Sequence, residues 1–379
     1  MKNMPEKSII ELPITGFDAI ELYVGNARQA ALYYQRCFGF DIVGFRGPET
    51  GHRNIATYLL IQNEIKLLLT TALNTLHPAC DFVAQHGDGV RSIHFACTNV
   101  QEAYTDAIAR GAKSVGEPKE IKDAWGYIEI ASVQTYGNVI HTFIDRSNYT
   151  GFFEPGFTDA KELTAISQMA KSVPASVGLE RIDHIVGNVP TGQMNFWANY
   201  YQQIFGFEVL IEFSEEDIKT EHSSLASKVL KNKSLSIKLP INEPGEGPRK
   251  SQIQEYLDFN NGAGVQHIAL YTNNIVKTIE QLRANEVSFI AVPDSYYQLQ
   301  KERYPELQID WDSLQKLGIL VDREQDGYLL QLFTQPVQDR PTLFIEIVQR
   351  VDGAVGFGHG NFKALFESIE REQAARGNL

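Results

Sequence analysis

Cysteine is scarce. The chain has three among 379 residues, Cys37, Cys80 and Cys97, and no Cys-x-x-Cys pair. An odd, sparse set excludes a disulfide framework and a thiolate-built zinc or iron–sulfur centre, and it points to free thiols in a reducing compartment, the cytoplasm. Basic residues are also in the minority. Thirty-four Lys and Arg face 47 Asp and Glu, for a net charge of −13. Such a chain offers no basic face to a nucleic acid or an anionic membrane. No apolar run approaches the roughly 18 residues of a membrane helix. The first residues, Met1 to Lys7, lack the apolar core of a signal peptide. What remains is an ordinary globular composition, long enough for two domains.

The chain repeats itself. Phe17-Asp18-Ala19-Ile20-Glu21-Leu22-Tyr23-Val24 resembles Ile182-Asp183-His184-Ile185-Val186-Gly187-Asn188-Val189. Each is followed by an amphipathic stretch ending in the same tripeptide, Phe38-Gly39-Phe40 and Phe205-Gly206-Phe207. In the second stretch Met194, Trp197, Tyr201, Ile204 and Phe205 fall at helical spacing. Gly87-Asp88-Gly89-Val90-Arg91-Ser92-Ile93 matches Gly262-Ala263-Gly264-Val265-Gln266-His267-Ile268. A repeat decides architecture before any single residue does. Each half reads as two units of strand, helix and several strands. Residues 1–150 form a first domain and 179–379 a second. Residues 151–178 form a linker rich in Gly, Pro, Ser and Thr, with a short helical stretch around 160–172.

Three short apolar, β-branched runs each carry one metal-capable side chain: His184, His267 and Glu346. A lone His on an apolar strand is usually a satisfied core residue, and Glu346 has Arg350 and Arg340 as possible salt-bridge partners. Two His at equivalent places in paired units, with a buried carboxylate on a third strand, instead fit a facial triad. On donor type alone Fe(II), Mn(II) or Zn(II) would serve. The first half has Ala19 and Ser92 at the two His places, so only the second half keeps a metal site. His52, His77, His86 and His222 lie in polar or turn-like contexts and read as solvated, whereas His94 and His141 read as buried strand residues.

Longer runs are recognisable. Leu239-Pro240-Ile241-Asn242-Glu243-Pro244, Gly262 to Ala269, Gly327 to Thr334, Asp339 to Glu346 and Gly356 to Phe362 resemble the 4-hydroxyphenylpyruvate dioxygenase family of the vicinal oxygen chelate superfamily. The resemblance implies an α+β fold, a duplicated vicinal oxygen chelate arrangement of paired βαβββ units in two open barrels, with a C-terminal helix over the site. It implies one Fe(II) per chain on His184, His267 and Glu346. The reaction implied takes 4-hydroxyphenylpyruvate and O₂ to homogentisate and CO₂ in tyrosine catabolism, by oxidative decarboxylation, ring hydroxylation and side-chain migration. Ser227, Asn242, Gln252 and Gln266 then fall at the family's polar pocket positions, and Gln331 near the metal. Pro240, Phe333, Phe344, Phe357, Asn361 and Phe362 fall on its substrate-binding wall. Without the resemblance, Asn242 and Gln252 read as turn or surface residues. Asn361 would cap the last helix, and residues from about 361 to 376 would form a lid. Family members assemble as oligomers, and a homodimer is expected. The nearest alternative is 4-hydroxymandelate synthase, which shares the triad and the substrate but hydroxylates the benzylic carbon; Pro240 and Asn242 favour the dioxygenase.

Overall fold

A computed structural model describes residues 9–170, 176–323 and 327–378, the side chains of 170, 359 and 362–365 excepted. The first half holds β1 (Ile14–Tyr23), α1 (Ala27–Phe38), β2 (Asp41–Arg46), β3 (Ile55–Gln62), β4 (Ile65–Ala72), α2 (Pro78–His86), β5 (Gly89–Cys97), α3 (Val100–Ala109), β6 (Ser114–Asp123), β7 (Gly126–Gln134) and β8 (Ile140–Asp145). The connecting stretch adds β9 (Thr158–Asp159) and α4 (Thr164–Ala170). The second half holds β10 (Leu179–Asn188), α5 (Met194–Tyr200), β11 (Glu208–Phe213), β12 (Leu225–Lys231), β13 (Lys238–Pro244), α6 (Gln252–Asn260), β14 (Gly264–Thr272) and α7 (Ile275–Ala284). It continues with α8 (Asp294–Arg303), α9 (Trp311–Leu317), β15 (Leu320–Arg323), β16 (Tyr328–Phe333), β17 (Phe344–Val351) and α10 (Phe362–Ala375).

Each half is a pair of βαβββ units sharing one sheet. The strand orders are β6-β7-β8-β5-β1-β4-β3-β2-β9 and β11-β12-β13-β10-β14-β17-β16-β15. Read from β2, the first sheet repeats the second strand for strand, with β9 added at its edge. This is the duplicated vicinal oxygen chelate architecture, with α8 and α9 inserted in the last unit.

The repeat extends to register. In the β1–β5 pair Ala19 lies opposite His94, and in the β10–β14 pair His184 lies opposite Ala269. Both pairs are interrupted at the same three places, and one interruption leaves Asp18 and Asp183 as the extra, bulged residues. The repeated glycines have a local reason. Gly39 (φ 71°) and Gly206 (φ 74°) end their helices in the left-handed conformation. A Cβ on Gly206 would also lie 2.7 Å from the Glu11 backbone. The second helix differs from the sequence expectation, since its last turn, Tyr201–Phe205, is a π turn. It still buries Tyr201, Ile204 and Phe205.

One hydrophobic core runs through both halves. His141 Nε2 and Thr135 Oγ1 of the first half hydrogen-bond Tyr201 Oη of the second, at 2.7 and 3.0 Å. His86 departs from the expectation of a solvated residue. It is buried between the Asn260 carbonyl and the Asn138 amide, because α2 packs on α6 rather than facing solvent.

The first half's cup is filled. Ala19 lies in an apolar cluster with Leu59, Leu68 and Phe157, and Phe152 and Phe153 pack on it. The third ligand position, matched to Glu346 by register, holds Thr142. Its hydroxyl pairs with Ser92 Oγ at 2.9 Å. Asp18 sits at the cup's base with Lys66 (3.2 Å) and Arg146 (2.9 Å). Burial alone would raise its pKa, but Arg146 and Lys66 bring it from 3.8 to about 2. A carboxyl depressed on folding stabilises above its unfolded pKa and loses that contribution as pH falls through the folded value. Asp18→Asn should therefore cost about 2 kcal/mol near neutrality. In thermal unfolding the gap to the parent should narrow as pH falls from 4 to 2. A gap independent of pH would deny the ion cluster this role.

Candidate metal centre and active site

Three strands deliver three donors to one point. His184 lies on β10, His267 on β14 and Glu346 on β17, all buried. Their ligand atoms lie within 4.8 Å of one another. Glu346 Oε2 is 3.0 Å from His184 Nε2 and 3.3 Å from His267 Nε2. The salt-bridge alternative for Glu346 is not what forms. Arg350 closes on Asp183, and Arg340 donates to the Gln85 and Phe259 carbonyls.

The residue before each His fixes its tautomer. Neighbours along a strand normally point to opposite faces. Bulges change that here. Asp183 is the extra residue of β10, between the pairs Ile182–Leu270 and His184–Ala269. Gln266 is the extra residue of β14, between Val186–His267 and Gly187–Val265. Asp183 Oδ2 accepts from His184 Nδ1 at 2.8 Å, and Gln266 Oε1 accepts from His267 Nδ1 at 3.0 Å. Both rings thus keep hydrogen on Nδ1 and turn the Nε2 lone pair to the shared point. Two nitrogen lone pairs and a carboxylate oxygen facing each other repel unless a cation lies among them. The donors fit a divalent metal with two imidazoles, one carboxylate and open positions.

With no metal among them, the three donors are coupled through the same contacts, a proton on Nε2 taking the place of the cation. Burial opposes ionisation of Glu346, yet the imidazoles bring it from 4.5 to about 2. Burial also lowers His267. For His184 burial works against protonation, but Glu346 and Asp183 outweigh it and move the group up. Asp183 is held well below the carboxylate range, against burial, by Arg350 and His184.

A cavity opens on the three donors. Ser227, Pro240, Asn242, Gln252, Gln266, Phe333, Phe344 and Phe357 line it, with Phe366 and Ile369 of α10 on one side. Ser227 and Asn242 face each other across β12 and β13. Gln252 opens α6, directly after the capping Ser251. Asn242 and Gln252 are buried, unlike turn or surface residues. Phe344 stacks on His267 at 4.8 Å, and Phe357 meets His184 edge-on at 4.9 Å.

Two sequence candidates lie elsewhere. Gln331 is buried beneath Gly358, at a distance where a Cβ would meet its amide at 2.5 Å, and it is not among the cavity's lining residues. Asn361 occupies the N-cap position of α10, but its side chain makes no capping bond. Its Oδ1 accepts from Tyr296 Oη at 2.6 Å instead, because α8 brings that phenol beneath the helix start. The Phe362 side chain lies outside the described residues. Asp183 was not singled out from sequence. Its signal was an acid directly before a strand His in a repeat where the other half keeps the acid and loses the His.

Helix α10 is fastened at several points. Glu370 accepts from Thr220 and Ser223 hydroxyls at 2.7 Å, Arg376 pairs with buried Glu255 at 2.7 Å, and Gln373 donates to the Lys250 carbonyl.

Comparison with known proteins places this site in a family. Residues 11–157 match the family model described as hydroxyphenylpyruvate dioxygenase, N-terminal. Residues 181–332 match that of the glyoxalase, bleomycin resistance protein and dioxygenase superfamily. A 4-hydroxyphenylpyruvate dioxygenase of Dictyostelium discoideum is 46% identical over 96% of this chain and 100% of its own length. The chain belongs to the 4-hydroxyphenylpyruvate dioxygenase family. A second family member, from Tetrahymena thermophila, is 44% identical over 99% of this chain and 95% of its own. Among solved structures, a triply substituted 4-hydroxymandelate synthase from Streptomyces coelicolor superposes with a TM-score of 0.83 at 28% identity. That match covers 96% of this chain and 100% of the synthase.

Glu346→Gln should weaken divalent metal binding by more than about 100-fold, with the circular dichroism of the parent retained. Mn(II) titration followed by electron paramagnetic resonance reads this; parent-like affinity would remove Glu346 from the site.

Proposed function

We propose that the protein converts 4-hydroxyphenylpyruvate and O₂ to homogentisate and CO₂, with one Fe(II) held by His184, His267 and Glu346. The observation that carries this is the convergence of two Nε2 lone pairs and one carboxylate at the floor of a phenylalanine-walled cavity, in a chain of this family. Fe(II), when bound, supplies the redox chemistry with O₂ and the open positions at which an α-keto acid can chelate.

The chain's own residues do the rest. Asp183 and Gln266 hold the two imidazoles so that their Nε2 atoms face the metal. Phe333, Phe344, Phe357 and Phe366 form apolar walls that fit a flat ring and exclude water. Ser227, Asn242 and Gln252 place hydroxyl and amide groups in an otherwise apolar cavity, where they hold the phenol end without a titrating charge. Asn242 donates to Asn188 Oδ1 at 3.4 Å, which leaves its carbonyl oxygen to accept from the phenol. Gln266 has committed its oxygen to His267, so its NH₂ is the group that can meet substrate. Gln331 and Asn361 act from behind, by supporting the 358–361 segment. The α10 lid closes the cavity through Phe366 and Ile369.

Benzylic hydroxylation, as in 4-hydroxymandelate synthase, is the alternative outcome at the same metal. Pro240 and Asn242 in the cavity wall, and the 46% identity to a dioxygenase against 28% to the synthase, favour ring hydroxylation. A cytoplasmic homodimer completes the reading. Free Cys37, Cys80 and Cys97 suit a reducing compartment, and no helix among the described residues is long and apolar enough to cross a membrane.

The test is O₂ uptake by Fe(II)-loaded protein with 4-hydroxyphenylpyruvate and no 2-oxoglutarate. Homogentisate in step with uptake is expected. The two candidate products are isomers, so chromatographic retention or ring-proton resonances must separate them; hydroxymandelate would overturn the ring assignment. Asn242→Ala should lower kcat/KM about tenfold or more while metal content stays at the parent level. Equal loss of metal would assign Asn242 to the fold instead.

A further inference from the structure

A buried ionic clamp recurs in the two halves, and in the first half its arginine, Arg146, also takes the buried Glu154 carboxylate at 2.9 Å. In the second half the Asp183 carboxylate takes Arg350 Nε and Nη2 at 2.8 and 2.7 Å and Lys238 Nζ at 3.1 Å. At the same register the first half has Asp18, Arg146 and Lys66, similarly joined. Each arginine also grips the segment after its half's last strand. Arg146 Nη1 donates to the Phe153 carbonyl at 2.8 Å, and its guanidinium lies 4.2 Å over the Phe153 ring. Arg350 Nη1 donates to the Gly356 carbonyl at 2.7 Å, and its guanidinium lies 5.6 Å from the Phe357 ring. In the first half the gripped segment plugs the cup. In the second it supplies the Phe357 wall and leads into α10.

The difference that bears on the metal site is the residue after the bulge. Ala19 makes no polar side-chain contact, whereas His184 donates from Nδ1 to Asp183 and meets the Phe357 ring at 4.9 Å. His184, Asp183, Arg350 and the 356–357 segment therefore close a ring of contacts that contains a metal ligand.

We infer that Asp183 and Arg350 are positioning residues which lock the His184 imidazole to the 354–357 segment, so that one clamp sets both metal ligation and the seating of Phe357. The inference rests on the proposed metal site. A clamp present in the half without a metal has a structural role there, which supplies a matched control. Asp18→Asn removes the corresponding carboxylate without touching a ligand, and Arg146 keeps its pair with Glu154 at 2.9 Å.

The experiment is Mn(II) titration of the metal-free protein, followed by electron paramagnetic resonance, for the parent, Asp183→Asn and Asp18→Asn. Thermal unfolding is measured on the same samples. Both variants should lose stability, but only Asp183→Asn should lose Mn(II) affinity, by about tenfold or more. Parent-like affinity in Asp183→Asn, or an equal loss in Asp18→Asn, overturns the inference. A parent that binds no Mn(II), Fe(II) or Zn(II) fails the metal site itself, and the inference with it. Should Asp183→Asn not fold, Arg350→Lys keeps the charge but loses the fork that spans Asp183 and Gly356. Amide hydrogen exchange over 354–358 should then rise in the Mn(II)-bound protein and kcat should fall; unchanged exchange and kcat overturn the inference.

Discussion

The centre of this protein depends on two β-bulges. A regular strand sends alternate side chains to opposite faces, so the residue before an inward-pointing His would point away from it. By inserting Asp183 into β10 and Gln266 into β14, the chain brings an acceptor beside each ring. Ligand position, ring orientation and tautomer then follow from backbone pairing. Each His is held by its own neighbour, and neither relies on a mobile loop. Glu346 needs no such help. It lies on β17, whose parallel pairing with β14 sets Ala269 beside it and carries its carboxylate to both Nε2 atoms.

The two halves show which parts of this design belong to the fold and which to chemistry. Strand order, bulge positions and the Asp–Lys–Arg clusters occur twice. The ligands occur once. In the cup of the first half polar groups satisfy each other. Thr57 and Thr70, at the register of Ser227 and Asn242, bond at 2.9 Å, and Ser92 bonds Thr142. In the second half the corresponding groups line a cavity.

The repeat made most of the architecture legible, because it appears as matching residues, and the long family-like runs made the triad legible. The strand-borne His184, His267 and Glu346 stand out as polar groups in apolar runs, and the resemblance places a lid helix at about 361–376, where α10 lies. Bulges leave no comparable trace. A single extra residue disturbs no hydrophobic period strongly enough to be read, so nothing local marks Asp183 as a partner of His184. His86 and the side chain of Asn361, though Asn361 does hold the N-cap position, depart from expectation for a related reason. Their partners, Asn260 and Tyr296, come from elements remote in sequence, and local context describes neither.

The plugged cup has an evolutionary consequence. Returning His, His and Glu to positions 19, 92 and 142 would set three polar groups beneath Phe152, Phe153 and Phe157, in space already closed. Removing the plug first would open a void with no metal to fill it. Neither order of events passes through a stable, useful intermediate. A metal site in this cup therefore requires the ligands and the removal of the plug together.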